Sequence, residues 1–238
     1  STPLQTLFPY TTLFRSVWFY PASMTQSRFN KFKDEWDNTF RKYFNAPSTN
    51  IVALSESIAP YYFHKAKKGA TSTVVSIDIG GGTTDVLIVD KGDPKFLTSF
   101  RFAANAVFGD GYSYDSDSNG FVKEYSGDIM HLLDENNLTS LKGVLKSLEE
   151  KKVSTDIIAF FFSLASNKET HNVADFGKML ADDKKGKYAV ILFYVAIIYH
   201  IANIMKAKNY PMPRHITFSG NGSKLLSILS TNDSTLER

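Results

Sequence analysis

The sequence predicts an α/β fold, a mixed sheet flanked by helices and interrupted by an α-rich insert. Three observations predict it. Two apolar segments, residues 74–79 and 86–89, bracket a turn with three consecutive glycines. Upstream, short β-branched and aromatic runs alternate with stretches of helical period, the order expected of an α/β sheet. Downstream, a polar region of helical texture leads to an apolar helix and a final strand–turn–helix.

Val17-Trp18-Phe19-Tyr20 is a short strand ended by Pro21, which has no N–H to donate to a ladder. Ser23-Met24-Thr25-Gln26 fits a capping box and opens a helix. Phe29, Phe32, Trp36, Phe40 and Phe44 recur near helical spacing with charges between them, the stripe of a helix packed on a sheet. Ile51-Val52-Ala53-Leu54 is the next strand. It leads through Ser55-Glu56-Ser57-Ile58-Ala59-Pro60 into a helix rich in Tyr and Phe. His64-Lys65-Ala66-Lys67-Lys68-Gly69 reads as the solvated end of that helix, where cations suit the dipole. Beyond the glycine turn, Lys91-Gly92-Asp93-Pro94 precedes a strand over 96–102, and Phe108-Gly109-Asp110-Gly111 is a small-residue turn.

Residues 112–186 read as the inserted, mostly α subdomain, with amphipathic pieces at 129–133 and 138–148. Asp115-Ser116-Asp117-Ser118-Asn119-Gly120 copies the first half of an EF-hand loop. Ser126 stands where that loop needs a bidentate Glu, so a polar turn is expected there and no calcium site. The apolar run 189–205 is broken by His200 and Asn203 and falls short of the ~20 apolar residues of a spanning helix. It predicts a core helix sandwiched behind the sheet, and no membrane partner.

Composition excludes several classes. The 238 residues suit one large domain or two modest ones. A formal charge of +3, from 27 basic and 24 acidic residues, is too small and dispersed for a nucleic-acid partner. With no cysteine there is no disulfide, thiolate metal site or catalytic thiol, and the cytosol is the expected compartment. The five histidines are scattered without metal-ligand spacing.

The chemistry concentrates in Asp78-Ile79-Gly80-Gly81-Gly82-Thr83-Thr84-Asp85. Glycines leave backbone N–H groups uncovered, so a phosphate can approach closely. The hydroxyls of Thr83 and Thr84 add donors, and Asp78 and Asp85, one at each strand end, can hold a hydrated Mg²⁺. It is not a P-loop, because no Lys follows the glycines and a strand comes next. A second small-residue turn, Ser219-Gly220-Asn221-Gly222-Ser223, joins the strand Ile216-Thr217-Phe218 to the apolar start of a helix at Leu225 and Leu226. Asn221 suits this turn because Asn tolerates left-handed geometry.

The first of these motifs resembles the second phosphate motif of the ATPase superfamily that unites actins, 70-kDa heat-shock chaperones and sugar kinases, and is spelled most like the chaperones and bacterial actin-like proteins. The resemblance implies a ribonuclease H-like lobe. It implies that Gly80, Gly81, Gly82 and Thr83 contact the β- and γ-phosphates of ATP. It also implies that Asp78 anchors Mg²⁺ through water, and that Asp85 supports the metal or the attacking water. Residues 219–223 are similar to the adenosine motif of the same superfamily, although Asn221 interrupts its usual consecutive glycines. The run before the phosphate turn also resembles the chaperones and would place Glu56 near Asp78. Ser57 stands where the chaperones have Pro, and a free surface Glu is the alternative.

The lobe is then expected at 17–111 and 187–238, with the insert at 112–186. Residues 6–16 read like the translation of a short-read sequencing adapter, and 1–16 are expected to lie outside the fold. The superfamily's first phosphate motif is not found, so the expectation is half of a cleft, truncated at its N-terminus and inactive alone. Its partners would be ATP or ADP, the missing N-terminal lobe, and a protein client or further copies of itself. The alternatives are a filament-forming bacterial actin and a small-molecule kinase.

Overall fold

The computed structural model describes residues 16–44, 50–68, 72–110, 113–170 and 172–229. Most of the adapter-like segment, Gly69 and Gly111 lie outside the described residues. The strands are β1 (Ser16–Tyr20), β2 (Ile51–Ser55), β3 (Val74–Ile79), β4 (Thr84–Asp90), β5 (Asp93–Phe100) and β6 (His215–Ser219). The helices are α1 (Gln26–Phe44), α2 (Ala59–Lys68), α3 (Ala104–Val107), α4 (Gly120–Glu135), α5 (Thr139–Lys151), α6 (Ser154–Leu164), α7 (Phe176–Asp182) and α8 (Lys184–Ala207). Short 3₁₀ segments cover Glu56–Ile58 and Asn221–Ile228.

β1 and β2 form a parallel pair, in register from Ser16 with Ile51 to Tyr20 with Ser55, with α1 as the crossover. The other sheet has the order β5-β4-β3-β6. The turns joining β3 to β4 and β4 to β5 are too short for a crossover, so these neighbours run antiparallel. The fold is therefore α/β with both kinds of ladder, as the sequence predicts.

The chain divides into two compact units. One comprises Ser1–Ile77, Asp85–Phe100 and Pro213–Thr217; the other comprises Asp78–Thr84, Arg101–Met212 and Phe218–Arg238. In the first unit, Trp18 is buried against the aromatic stripe of α1, with ring centroids 5.8 Å from Phe29 and 5.2 Å from Phe32. The helix begins later than the capping-box reading places it. Met24 N–H closes a turn on Pro21, and Thr25, not Ser23, offers its hydroxyl to the Arg28 N–H, at 3.5 Å. In α2, Tyr61 is buried with Val74, Leu87 and Val89, and the half-buried Ile58 packs against them. Lys91 and Gly92 both have positive φ, the pattern of a type I′ hairpin turn. Pairing can then resume at once, so β5 starts at Asp93 and not at 96. Pro94 is tolerated because β5 is an edge strand.

In the second unit, every described element between β5 and β6 is a helix. The half-EF-hand segment is a polar turn. Asn119 caps α4 by accepting the Val122 N–H at 2.8 Å, and Asp117 pairs with Lys152 at 2.6 Å. Phe176 of α7 meets Tyr125 and Phe161 edge-on at 5.3 and 5.2 Å within a core that includes Ile129, Leu133 and Leu145. α8 corrects the expectation of a fully sandwiched helix. Val190, Phe193, Tyr194, Ile197, Ile201 and Met205 are buried, but Tyr188, Leu192, Val195 and Tyr199 are exposed. At 24 residues it is long and apolar enough, by length and composition alone, to cross a bilayer, yet its inner face packs on protein.

Asp183 starts α8. Its carboxylate accepts the N–H groups of Lys185 and Gly186 at 3.0 Å and the Tyr125 hydroxyl at 2.5 Å. These bonds, the Tyr125 one foremost, hold the Asp183 pKa below the ordinary carboxylate value, while burial and Asp183 push Tyr125 upward. A depressed folded pKa gives stability that is complete above the unfolded value and is lost as pH falls through the folded one. Asp183→Asn keeps a capping oxygen but removes this titration. Urea melts of the variant should therefore match wild type more closely at acid pH than at neutral pH. An equal gap at every pH would contradict the assignment.

Candidate functional site

The glycine turn is shaped by the bonds it has already spent. Gly80 donates its N–H to the Thr83 carbonyl at 2.9 Å, closing the turn on itself. The carbonyls of Gly80 and Gly81 accept the N–H groups of Ala104 and Asn105 at 3.1 and 2.9 Å. The start of α3 therefore holds the turn from the carbonyl side. Gly81 is exposed, and Gly82 and Thr83 are half-buried.

This arrangement corrects the sequence reading at two residues. The Gly80 N–H is taken inside the turn and is not a phosphate donor. Thr84 is fully buried and its hydroxyl donates to the Phe102 carbonyl at 2.6 Å, so it braces the turn instead of facing a ligand. The hydroxyl of Thr83, by contrast, makes no hydrogen bond among the described residues.

Asp78 is half-buried, and its carboxylate has no hydrogen bond or ion pair among the described residues. Asp85 is the second residue of β4 and is buried. Glu56 begins the 3₁₀ turn after β2 and is half-buried, with Ser57 buried beside it. Glu56 and Asp85 belong to the first unit, whereas the turn 78–84 and the loop 219–223 belong to the second.

Within that second unit the two small-residue motifs are in direct contact. A Cβ on Gly220 would stand closer than 3.0 Å to the Asp78 carboxylate and to the Ile79 carbonyl. A Cβ on Gly222 would stand 3.0 Å from both the Cβ and the carbonyl oxygen of Ile79, and closer still to its methyl. Gly220 also has φ 79° and ψ 168°, a region open essentially to glycine alone. The left-handed residue is thus Gly220 and not Asn221, which instead begins the 3₁₀ segment. That segment replaces the expected α-helix.

The loop is pinned from two further sides. The Tyr194 hydroxyl donates to the Gly222 carbonyl at 2.7 Å, and its ring meets Phe218 edge-on at 5.7 Å. Burial raises the Tyr194 pKa, which keeps the hydroxyl a donor. Ser223 spends its own hydroxyl on the Gly220 carbonyl at 2.7 Å. Sequence reasoning missed Tyr194, whose place in an apolar run disguised it as core. It also missed Asn105, although that is the one polar residue between Phe102 and Phe108.

No family model and no curated protein sequence matches the chain. Among solved structures it is similar to MreB5 of Spiroplasma citri bound to AMPPNP, at 22% identity and a TM-score of 0.31, over 41% of this chain and 27% of that one. It is similar to the same protein bound to ADP at 21% identity and 0.32, over 52% and 34%. It is also similar to the ethanolamine utilization protein EutJ of Carboxydothermus hydrogenoformans, at 13% identity and 0.40, over 91% and 56%. The chain thus spans between about a quarter and just over half of these structures. At such TM-scores the likenesses carry no weight for function, which rests on the residues of this chain.

The contact between Gly222 and Ile79 is open to test. Gly222→Ala should destabilise the chain by about 1–3 kcal/mol through overpacking. Ile79→Ala should cost less in that background than in wild type. A coupling energy below about 0.5 kcal/mol in denaturant melts would mean that the two do not touch.

Proposed function

We propose that the chain binds ATP or ADP with Mg²⁺ as one nucleotide-binding lobe of an actin-like or chaperone-like ATPase. The observation that carries this reading is the packing of the 219–223 loop on the end of β3, which brings the glycine turn beside a second glycine loop in one unit. The phosphates would lie at the exposed side of Gly81, Gly82 and Thr83, with the Thr83 hydroxyl as a donor. Ribose and base would lie toward Ser219, Gly220 and Asn221. Gly222 and Ser223 serve by shaping that loop, since the carbonyl of one and the hydroxyl of the other are engaged internally.

Asp78 fits a hydrated Mg²⁺, being a half-buried carboxylate with no other partner among the described residues. Asp85 would be the second acid. No group of three or more His, Cys, Asp or Glu converges among the described residues, so the nucleotide's own phosphates would have to complete the coordination. Bound there, Mg²⁺ would neutralise charge on the phosphates. In a complete two-lobed protein the reaction would be transfer of the γ-phosphoryl group to water, driven mainly by positioning and charge stabilisation. Glu56 would help to place the water, the second lobe would close the cleft, and the site would work in the cytosol. In this reading residues 17–111 and 187–238 form the lobe and 112–186 its insert. The 238-residue chain alone would bind nucleotide weakly and turn none over.

Thr83 and Thr84 separate this reading from a purely structural turn. Thr83→Ala should weaken Mg-ATP binding with little change in melting temperature. Thr84→Ala should cost about 1–3 kcal/mol of stability by stranding the Phe102 carbonyl. Asp78→Asn should remove the Mg²⁺ dependence of binding. Calorimetry showing equal ATP affinity for wild type, Thr83→Ala and Asp78→Asn would sink the proposal.

A second reading, ATP-dependent self-assembly in the manner of a filament-forming actin, is favoured by one observation. Tyr188, Leu192, Val195 and Tyr199 are exposed on α8 at intervals of 4, 3 and 4 residues, the seam spacing of paired helices. If copies pair through it, Leu192→Glu should abolish ATP-dependent pelleting. Pelleting unaffected by that change would remove α8 from any such contact.

A further inference from the structure

We propose that the carboxamide of Asn105 is a further ligand of the polyphosphate bound at the glycine turn, a neutral donor placed beside Gly81. The inference rests on the nucleotide reading above and adds a residue that no motif in the sequence marks. Asn105 is 8% exposed, in the short helix α3. Its backbone N–H holds the Gly81 carbonyl. Its side chain then returns to the same glycine. Oδ1, Nδ2 and Cγ lie 3.3, 3.6 and 3.7 Å from where a Gly81 Cβ would stand. A Cβ at 81 would make that carboxamide give way by a few tenths of an ångström.

Its carboxamide makes no hydrogen bond among the described residues and is not one of the fully buried polar atoms there, so it is accessible to a ligand. The shallow recess it shares with Asp110, Asn119 and Ser154 does not supply a partner. There the Asp110 carboxylate is already engaged by the Asn119 amide at 3.0 Å and by the Ser154 hydroxyl. The remaining direction is the open side of the turn, where Gly81 is exposed. A carboxamide offers two N–H donors to phosphate oxygens and brings no charge. An aspartate in its place would repel the same group.

The test uses the 238-residue chain and its Asn105→Ala and Asn105→Asp variants. The side-chain NH₂ resonances of Asn105, assigned by their loss in Asn105→Ala, are followed in ¹⁵N spectra on titration with Mg-ATP and with adenosine. The expected result is a shift with Mg-ATP and none with adenosine. Asn105→Asp should weaken Mg-ATP about tenfold, the scale of losing one charge-assisted bond, while leaving adenosine within about twofold. If the backbone amides of Gly81 and Gly82 move with Mg-ATP but the Asn105 NH₂ does not, Asn105 is only a spacer and this inference fails alone. If neither moves, the nucleotide reading fails with it.

Discussion

The contact on which the rest of the site depends is the approach of Gly220 and Gly222 to Asp78 and Ile79. These are backbone-to-backbone and backbone-to-side-chain distances that no Cβ could enter. The two motifs are separated by well over a hundred residues, so closing that loop carries a substantial entropic cost. Glycine makes the close approach possible but does not drive it. The drive comes from burial around it: Ile79, Leu225 and Ile228 are buried, and α8 buries Phe193, Tyr194 and Ile197 on its inner face.

Within this frame, hydrogen bonds decide which groups remain for a ligand. Each donor or acceptor used internally is unavailable to a phosphate or a sugar. The Gly80 N–H, the Thr84 hydroxyl and the Ser223 hydroxyl are all spent on carbonyls of the chain. The Thr83 hydroxyl, the Asp78 carboxylate and the Asn105 carboxamide are not engaged among the described residues. Two adjacent threonines thus differ: among the described residues the Thr84 hydroxyl is bonded within the chain, and that of Thr83 is not. Thr84 is the first residue of β4 and is buried, whereas Thr83 precedes the strand and is half-buried.

Distance along the chain separates what could be read in the sequence from what could not. The strands flanking the turn, the aromatic stripe of α1 against Trp18, and the polar turn at 115–120 follow from periodicity and turn chemistry, which are local. The turn's identity as a small-residue bend beside the 219–223 loop was also legible, because three glycines between two acids have few other uses. The errors arose where distant partners set the outcome. Thr84 looked like a ligand donor because nothing near it reveals the Phe102 carbonyl, and Asn221 looked left-handed because Ile79 was not visible as the reason for Gly220. Ser23 lost the cap to Thr25 for a local reason that the motif concealed: Pro21 and Met24 close a turn first. The outward face of α8 could not have been read at all, since an apolar run shows no side until something packs on it.

Electrostatics sets a last constraint on what this turn can hold. Within the second unit the turn, residues 78–84, and the loop 219–223 contain Asp78 but not one Lys or Arg. A polyphosphate brought to such a surface would meet net negative charge, and backbone N–H dipoles contribute only partial positive charge against it. In P-loop proteins a lysine supplies the missing cation, and here there is none in the motif. In the proposed reading the anion would arrive with its own cation, and the Asp78 carboxylate, without a hydrogen bond or ion pair among the described residues, would be an outer ligand for it. A neutral amide at Asn105 fits this balance, because it adds donors without competing for the metal. In the proposed reading, the acid that disfavours bare phosphate would favour the metal-bound form.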